Sequence, residues 1–247
     1  MRVRLLRTGM GCFAFAAAVS VVNVLLMPYA RANYGYGFGA ALAAYALALA
    51  LLLLAGRAIR RMDEAKARRM TKALAPTFIA CLFALQLLMG YLMEYTPSGD
   101  NFMLYNGSQM LALDGNFDGN PDFNLYLSRY SNQWGFMLML TGFYKLLFAV
   151  GVTQTFFPLV LTQAALYAFG LRATLRIARR LSGAKGEMMT ILLLACCLPL
   201  YLAAAVLYTD TFSLPFILMA LDLALRAKDE TDAKSSWDWR RAVAQWC

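Results

Sequence analysis

The sequence predicts an all-α, multi-pass membrane protein, a bundle of about six transmembrane helices with one juxtamembrane helix outside. Three observations carry that reading. Hydrophobic residues make up 61% of the 247 and charged residues only 15%, with a mean hydropathy of +0.54. Globular domains run at about 45–50% apolar and about 25% charged. The apolar residues lie in long runs broken by short polar segments. All 23 lysines and arginines except Arg31, Arg129 and Lys145 fall within residues 2–7, 57–72, 172–185 and 226–241. A soluble domain is excluded. The net charge of +9 is then an orientation signal, and a nucleic-acid partner is not expected.

The elements follow in order. Residues 8–30 form an apolar run behind Arg2, Arg4 and Arg7. Its length, and the lack of a small-residue cleavage site before a polar domain, favour a retained span over a signal peptide. Residues 37–56 form a second span, 57–72 a basic loop and 74–94 a third span. A polar segment leads to a shorter apolar run, 134–150, interrupted by Lys145. Spans over 154–176, 188–208 and 211–226 follow, the first of them ending in the basic stretch 172–185. The tail is charged and holds Trp237, Trp239 and Trp246.

The run at 134–150 decides the topology. If it spans, the basic residues of 172–185 and of the tail lie outside. If it rests on the membrane surface, every basic segment lies inside. The second arrangement is expected. It gives a multi-pass protein of the cell membrane with both termini cytoplasmic and one external loop, 95–153. The organisation is then a two-helix hairpin with its basic loop (1–72), a core (73–227), and a tail (228–247) that is cytoplasmic or leads into a further helix.

Several chemistries are excluded at once. The chain has no histidine, so a Ser-His-Asp triad, a histidine base and the usual zinc sites are out. Cys12, Cys81, Cys196 and Cys197 lie in apolar runs without framework spacing. Acid–base chemistry must rest on carboxylates, and the external loop holds Asp100, Asp114, Asp118 and Asp122. Tyr105, Phe117, Phe123, Tyr126, Tyr130 and Trp134 are interleaved with amides such as Asn101, Asn106, Gln109 and Gln133. This mixture suits a polyhydroxylated ligand such as a sugar. It also suits a solvated loop beside an interfacial aromatic belt. The run Asp114-Gly-Asn-Phe-Asp118-Gly-Asn-Pro-Asp122 has the outline of a calcium loop but not its ligand series, and is read as a turn region. Asp210 lies at a membrane boundary, where it can cap a helix, act on a substrate, or do both. Asp222 precedes Arg226 by four residues, the spacing of a structural ion pair.

The order of elements resembles the type C (GT-C) glycosyltransferases, in their protein-mannosyltransferase-like branch. That order is a span, an acidic external loop, a short surface helix, a span ending in a basic loop, and a span ending in Tyr208-Thr-Asp210. Pro97-Ser-Gly-Asp100-Asn-Phe-Met-Leu-Tyr105 resembles the opening of the family's first external loop. Leu111-Ala-Leu-Asp-Gly115-Asn resembles its continuation. Ser128-Arg-Tyr130-Ser-Asn-Gln-Trp-Gly135-Phe resembles the segment before the juxtamembrane helix, with Ser131 where proline is usual. The resemblance covers about residues 74–227.

It implies transfer of a sugar from a polyprenyl-phosphate donor to an acceptor outside the membrane. Asp100 matches the general base and Asp210 the second acidic position. Together they match the place where some relatives hold a divalent cation, Mg or Mn. Arg129 would pair with the donor phosphate, and Tyr130, Gln133 and Trp134 would contact the donor. Family members carry further spans, so the chain is expected to be an N-terminal portion of such an enzyme. The alternative is a non-catalytic multi-pass protein, a small transporter or a structural partner. A transporter would need polar groups within the bilayer, of which Asn23 and Gln163 are the clearest. It would also tend to show repeated halves, and no repeat is visible.

Overall fold

The computed structural model describes residues 38–92, 99–118, 120–206 and 208–246, which contain helices and no strand. The first expected span, 8–30, and the start of the external loop at 95–98 lie outside the described residues. The chain divides into two compact units, Met1–Arg61 and Met62–Cys247.

The first unit contributes α1 (Phe38–Arg61). Alanine and leucine dominate it, the residues that favour a helix most. Arg60 and Arg61 in its last turn complement the helix dipole. Six of its seven leucines are exposed, Leu47 at 62%. Apolar exposure along a whole helix suits lipid rather than water.

The second unit holds α2 (Glu64–Leu92), α3 (Asp100–Leu113), α4 (Pro121–Arg129), a 3-10 turn (Ser131–Gln133), α5 (Trp134–Ala149), α6 (Phe156–Ala195), α7 (Leu198–Leu202) and α8 (Thr209–Trp246). Among the described residues α1, α2 and α6 are long and apolar enough to cross a membrane. Helix α5, at 16 residues, is about 24 Å long, short of the ~30 Å hydrocarbon core. It buries Met137, Leu140 and Tyr144 and leaves Leu138, Met139 and Leu146 exposed. The buried face packs on α3 and α4 in one cluster with Leu104, Phe123, Leu127, Leu159 and Phe212. Gly107 permits the approach, since a Cβ there would sit 3.0 Å from both Met137 and Phe123.

Helix α6 reverses direction at Gly183, whose φ of 71° and ψ of −166° break the helical path. Arg179 meets Glu187 across the turn. Far from it, the Gln163 amide donates to the carbonyls of Ala203 (3.0 Å) and Val206 (3.3 Å). The Glu64 carboxylate at the start of α2 accepts the Ala184 N–H at 2.6 Å. That satisfies one of the free amides at the head of the returning segment.

The reversal falls between the two expected spans, but the returning one is not a single helix. It stops at Ala195, and Pro199 sits in the first turn of the short α7. Proline lacks the N–H that an uninterrupted helix would need. The loosened carbonyls find side chains instead, Leu200 accepting from the Gln86 amide at 2.7 Å. The expected span 211–226 lies within α8, which starts at Thr209 and runs on to Trp246. Gly170 lets α6 and α8 touch, because a Cβ there would lie 2.9 Å from the Pro215 Cα. Farther along, the Asp222 carboxylate is 1% exposed. One of its oxygens meets Arg176 at 2.7 Å and Arg226 at 2.9 Å. The expected pair with Arg226 is therefore joined by a second arginine, from α6.

Candidate functional site

Three chain segments meet where α3 and α8 begin. Gly99 takes a φ of 57° and turns the chain into α3, whose first residue is Asp100. The half-buried Asp100 accepts a hydrogen bond on Oδ2 from the Tyr208 hydroxyl at 2.8 Å. Tyr208 closes the turn before α8, and its N–H donates to Thr211 Oγ1 at 3.1 Å, a cap of the kind that fixes a helix start. The Thr209 hydroxyl donates to the buried Gln133 side chain. Tyr105 and Thr155 share a 2.8 Å hydrogen bond that closes α3 against the start of α6.

Two further phenols complete the cluster. The rings of Tyr126 and Tyr130 lie 5.0 Å apart. Tyr126 is 7% exposed, and its hydroxyl oxygen is buried without a hydrogen-bond partner. Burial first, then the negative charge of Asp100, pushes this phenol up to about 12. The Tyr208 phenol is also raised, chiefly by its bond to Asp100 and that carboxylate's charge, with smaller contributions from burial and from Asp210. One phenol thus feels both carboxylates. Asp210 stands exposed in the first turn of α8, where an acidic side chain complements the helix dipole.

The arrangement offers a carboxylate positioned by a neutral phenol, amide and hydroxyl groups, and aromatic faces. Asp100 keeps Oδ1 free of the bond to Tyr208 and can take a proton there. A Mg or Mn ion would find two carboxylates here, Asp100 and Asp210. That number suits a water-rich octahedral site, and among the described residues no cluster of three or more potential ligands forms.

Of the residues expected from sequence, Asp100, Tyr130, Gln133 and Asp210 belong to this gathering. Arg129 is exposed at the end of α4 and forms no ion pair with a described residue. Trp134 packs toward Phe117, their rings 6.5 Å apart. Residues 114–118 form the turn expected of them, with Gly115 at a φ of 77° and Asn116 accepting the Asp118 N–H at 2.9 Å, while Asp122 lies in the first turn of α4. Sequence reasoning missed Tyr126, Tyr208 and Thr209. Tyr208 stood beside Asp210 in the Tyr-Thr-Asp stretch, which was the available signal. Compared with protein-family models, with curated proteins and with solved structures, the chain matches none.

Proposed function

We infer that the protein is a membrane glycosyltransferase of the type C kind. It moves a sugar from a polyprenyl-phosphate donor to an acceptor hydroxyl at the external face. The observation that carries this reading is the Tyr208–Asp100 hydrogen bond, which joins the start of the acidic loop to the start of α8 across 108 residues. Asp100 takes the acceptor's proton as the acceptor oxygen attacks the anomeric carbon. The bond from that carbon to the phosphate oxygen breaks, and polyprenyl phosphate leaves with inversion. Tyr208 holds the carboxylate in place, the rings of Tyr126 and Tyr130 offer an apolar face to the sugar, and Arg129 reaches the phosphate. For the transporter reading, Asn23 lies outside the described residues, and the Gln163 side chain is held in place by its nitrogen, which donates to Ala203, Val206 and Thr211 while its Oε1 is buried without a partner.

The test is label transfer from a polyprenyl-phosphate sugar in membrane vesicles carrying the full chain. Asp100→Asn should cut transfer by about 10²–10⁴-fold, the contribution of a general base, with insertion and expression unchanged. Equal transfer by wild type and variant would overturn the reading, and so would the absence of transfer by wild type together with no retention of the labelled donor in the vesicles.

A further inference from the structure

The first turns of α2 carry four cations within seven residues, Lys66, Arg68, Arg69 and Lys72. All four are exposed, and none forms an ion pair with a described residue. The two acids beside them are engaged with backbone amides instead. Asp63 Oδ2 accepts the N–H groups of Ala65 at 3.0 Å and Lys66 at 3.3 Å. Glu64 Oε1 accepts that of Ala184. Like charges one turn apart on a helix repel, and the described residues supply no anion to offset them.

The direction of the patch follows from helix geometry. At about 100° per residue the four cations share an arc of about 160°. Ala67 and Thr71, at 0% and 1% exposure, lie on the opposite side, against the rest of the unit. The outward side runs on through Ala80, Ala84, Leu88 and Tyr91, all exposed. Depth follows from length. The 29 residues of α2 make about 44 Å, of which a hydrocarbon core takes ~30 Å. Residues 73–92 fill that core. Arg68, Arg69 and Lys72 then stand within about 8 Å of its edge, the depth of the headgroup layer. Lys66 lies at the outer margin of the same layer.

We propose that the head of α2 is a docking surface for anionic phospholipid of the phosphatidylglycerol kind, in the leaflet that this end of the helix meets. The guanidinium groups of Arg68 and Arg69 fork onto phosphodiester oxygens, and Lys72 adds a point charge beside them. The acyl chains lie along Ala80, Ala84 and Leu88. A bilayer fits both parts of this surface, because it sets a phosphate layer directly above hydrocarbon. An RNA or an acidic protein would match the cations and leave the apolar side below them unmatched. A zwitterionic lipid carries its own cation next to the phosphate and gains less from the patch. Orienting the chain requires only that the cations stay on one side of the membrane. Holding anionic lipid requires them exposed, unpaired and in line with the lipid-facing side, and α2 meets those further conditions.

The experiment uses the full chain in nanodiscs of equimolar phosphatidylglycerol and phosphatidylcholine, with native mass spectrometry of the lipid retained after mild detergent exchange. Both leaflets carry the same mixture, so the direction of insertion does not affect the result. Wild type should retain phosphatidylglycerol over phosphatidylcholine by about tenfold, well within the worth of three cations near an anionic surface. Replacing Arg68, Arg69 and Lys72 together with glutamine should bring that ratio near one, with helicity by circular dichroism unchanged. Ala65→Glu keeps all four cations and sets a carboxylate one turn from Arg68 and Arg69, and should also lower the ratio. In discs of phosphatidylcholine alone, the wild type should not retain a single-stranded RNA at 0.15 M salt. Equal retention of the two lipids by wild type, an unchanged ratio in the triple variant, or RNA retention that the triple variant loses would overturn the proposal.

Discussion

The two ends of the second unit each hold an aspartate at a helix–helix meeting, and they treat it in opposite ways. At one end Asp222 is 1% exposed and has two arginines on a single carboxylate oxygen. At the other, Asp100 is half-buried and bonded to a neutral phenol. A buried carboxylate with two cations beside it is neutralised, and joins α6 to α8. A carboxylate beside a phenol, with no cation paired to it among the described residues, is held by one hydrogen bond. Burial and the charge of the neighbour, rather than the residue type, divide a structural aspartate from one that can meet a substrate.

The comparison breaks most completely if the two ends do not face opposite compartments. Reporter fusions after Lys72 and Lys185 should read cytoplasm, and a fusion at Asp118 should read outside, each as an all-or-none signal. An outside signal after Lys185 would place the arginine end outside and undo the assignment. Next in size is the loss of the cations. Replacing Arg176 and Arg226 together with glutamine strands the Asp222 charge and should cost about 3 kcal/mol, read as a lowered thermal midpoint in detergent. Asp100→Asn strands nothing and should barely move the same midpoint.

The smallest effect is a titration. The Tyr126 phenol is raised from 10.0 to about 12. Its contribution to stability is therefore full below pH 10 and is lost as pH rises from about 10 to about 12, because the unfolded chain releases that proton first. Absorbance at high pH should show this late-ionising tyrosine. Asp100→Asn should lower its midpoint without restoring it to 10.0, since burial is the larger cause.

Much of this was legible in the sequence, and the failures share a cause. Apolar run length located α1, α2 and the start of α6, and the shortness of 134–150 separated α5 from them. Charge was taken to mean loop, and there the reading slipped. Residues 172–182 stay helical, because arginine is a good helix former and Arg176, Arg179 and Arg180 find carboxylates on neighbouring segments. Helix α8 likewise runs past Arg226, since no glycine or proline follows it. The converse error lay at 188–208, where apolar residues hid the break that Pro199 enforces. Asp100 and Asp210 were visible from their places at span ends. Tyr126 and Tyr208 were in view only as a loop aromatic and as the head of the Tyr-Thr-Asp stretch, because their place in the site comes from contacts between distant segments that spacing along the chain does not record.

The bond from Ala184 to Glu64 also sets a clock. Its partners are 120 residues apart, so at a synthesis rate of roughly 5–20 residues per second Glu64 waits about 6–24 s for its amide. During that time the head of α2 holds its carboxylate open on the same face as Arg68, one turn away. The nascent chain thus carries a temporary local partner for a group whose final one is not yet made. Arrival of Gly183 and Ala184 is the event that releases it, and the hairpin of α6 is fastened to the oldest helix of its unit as it forms.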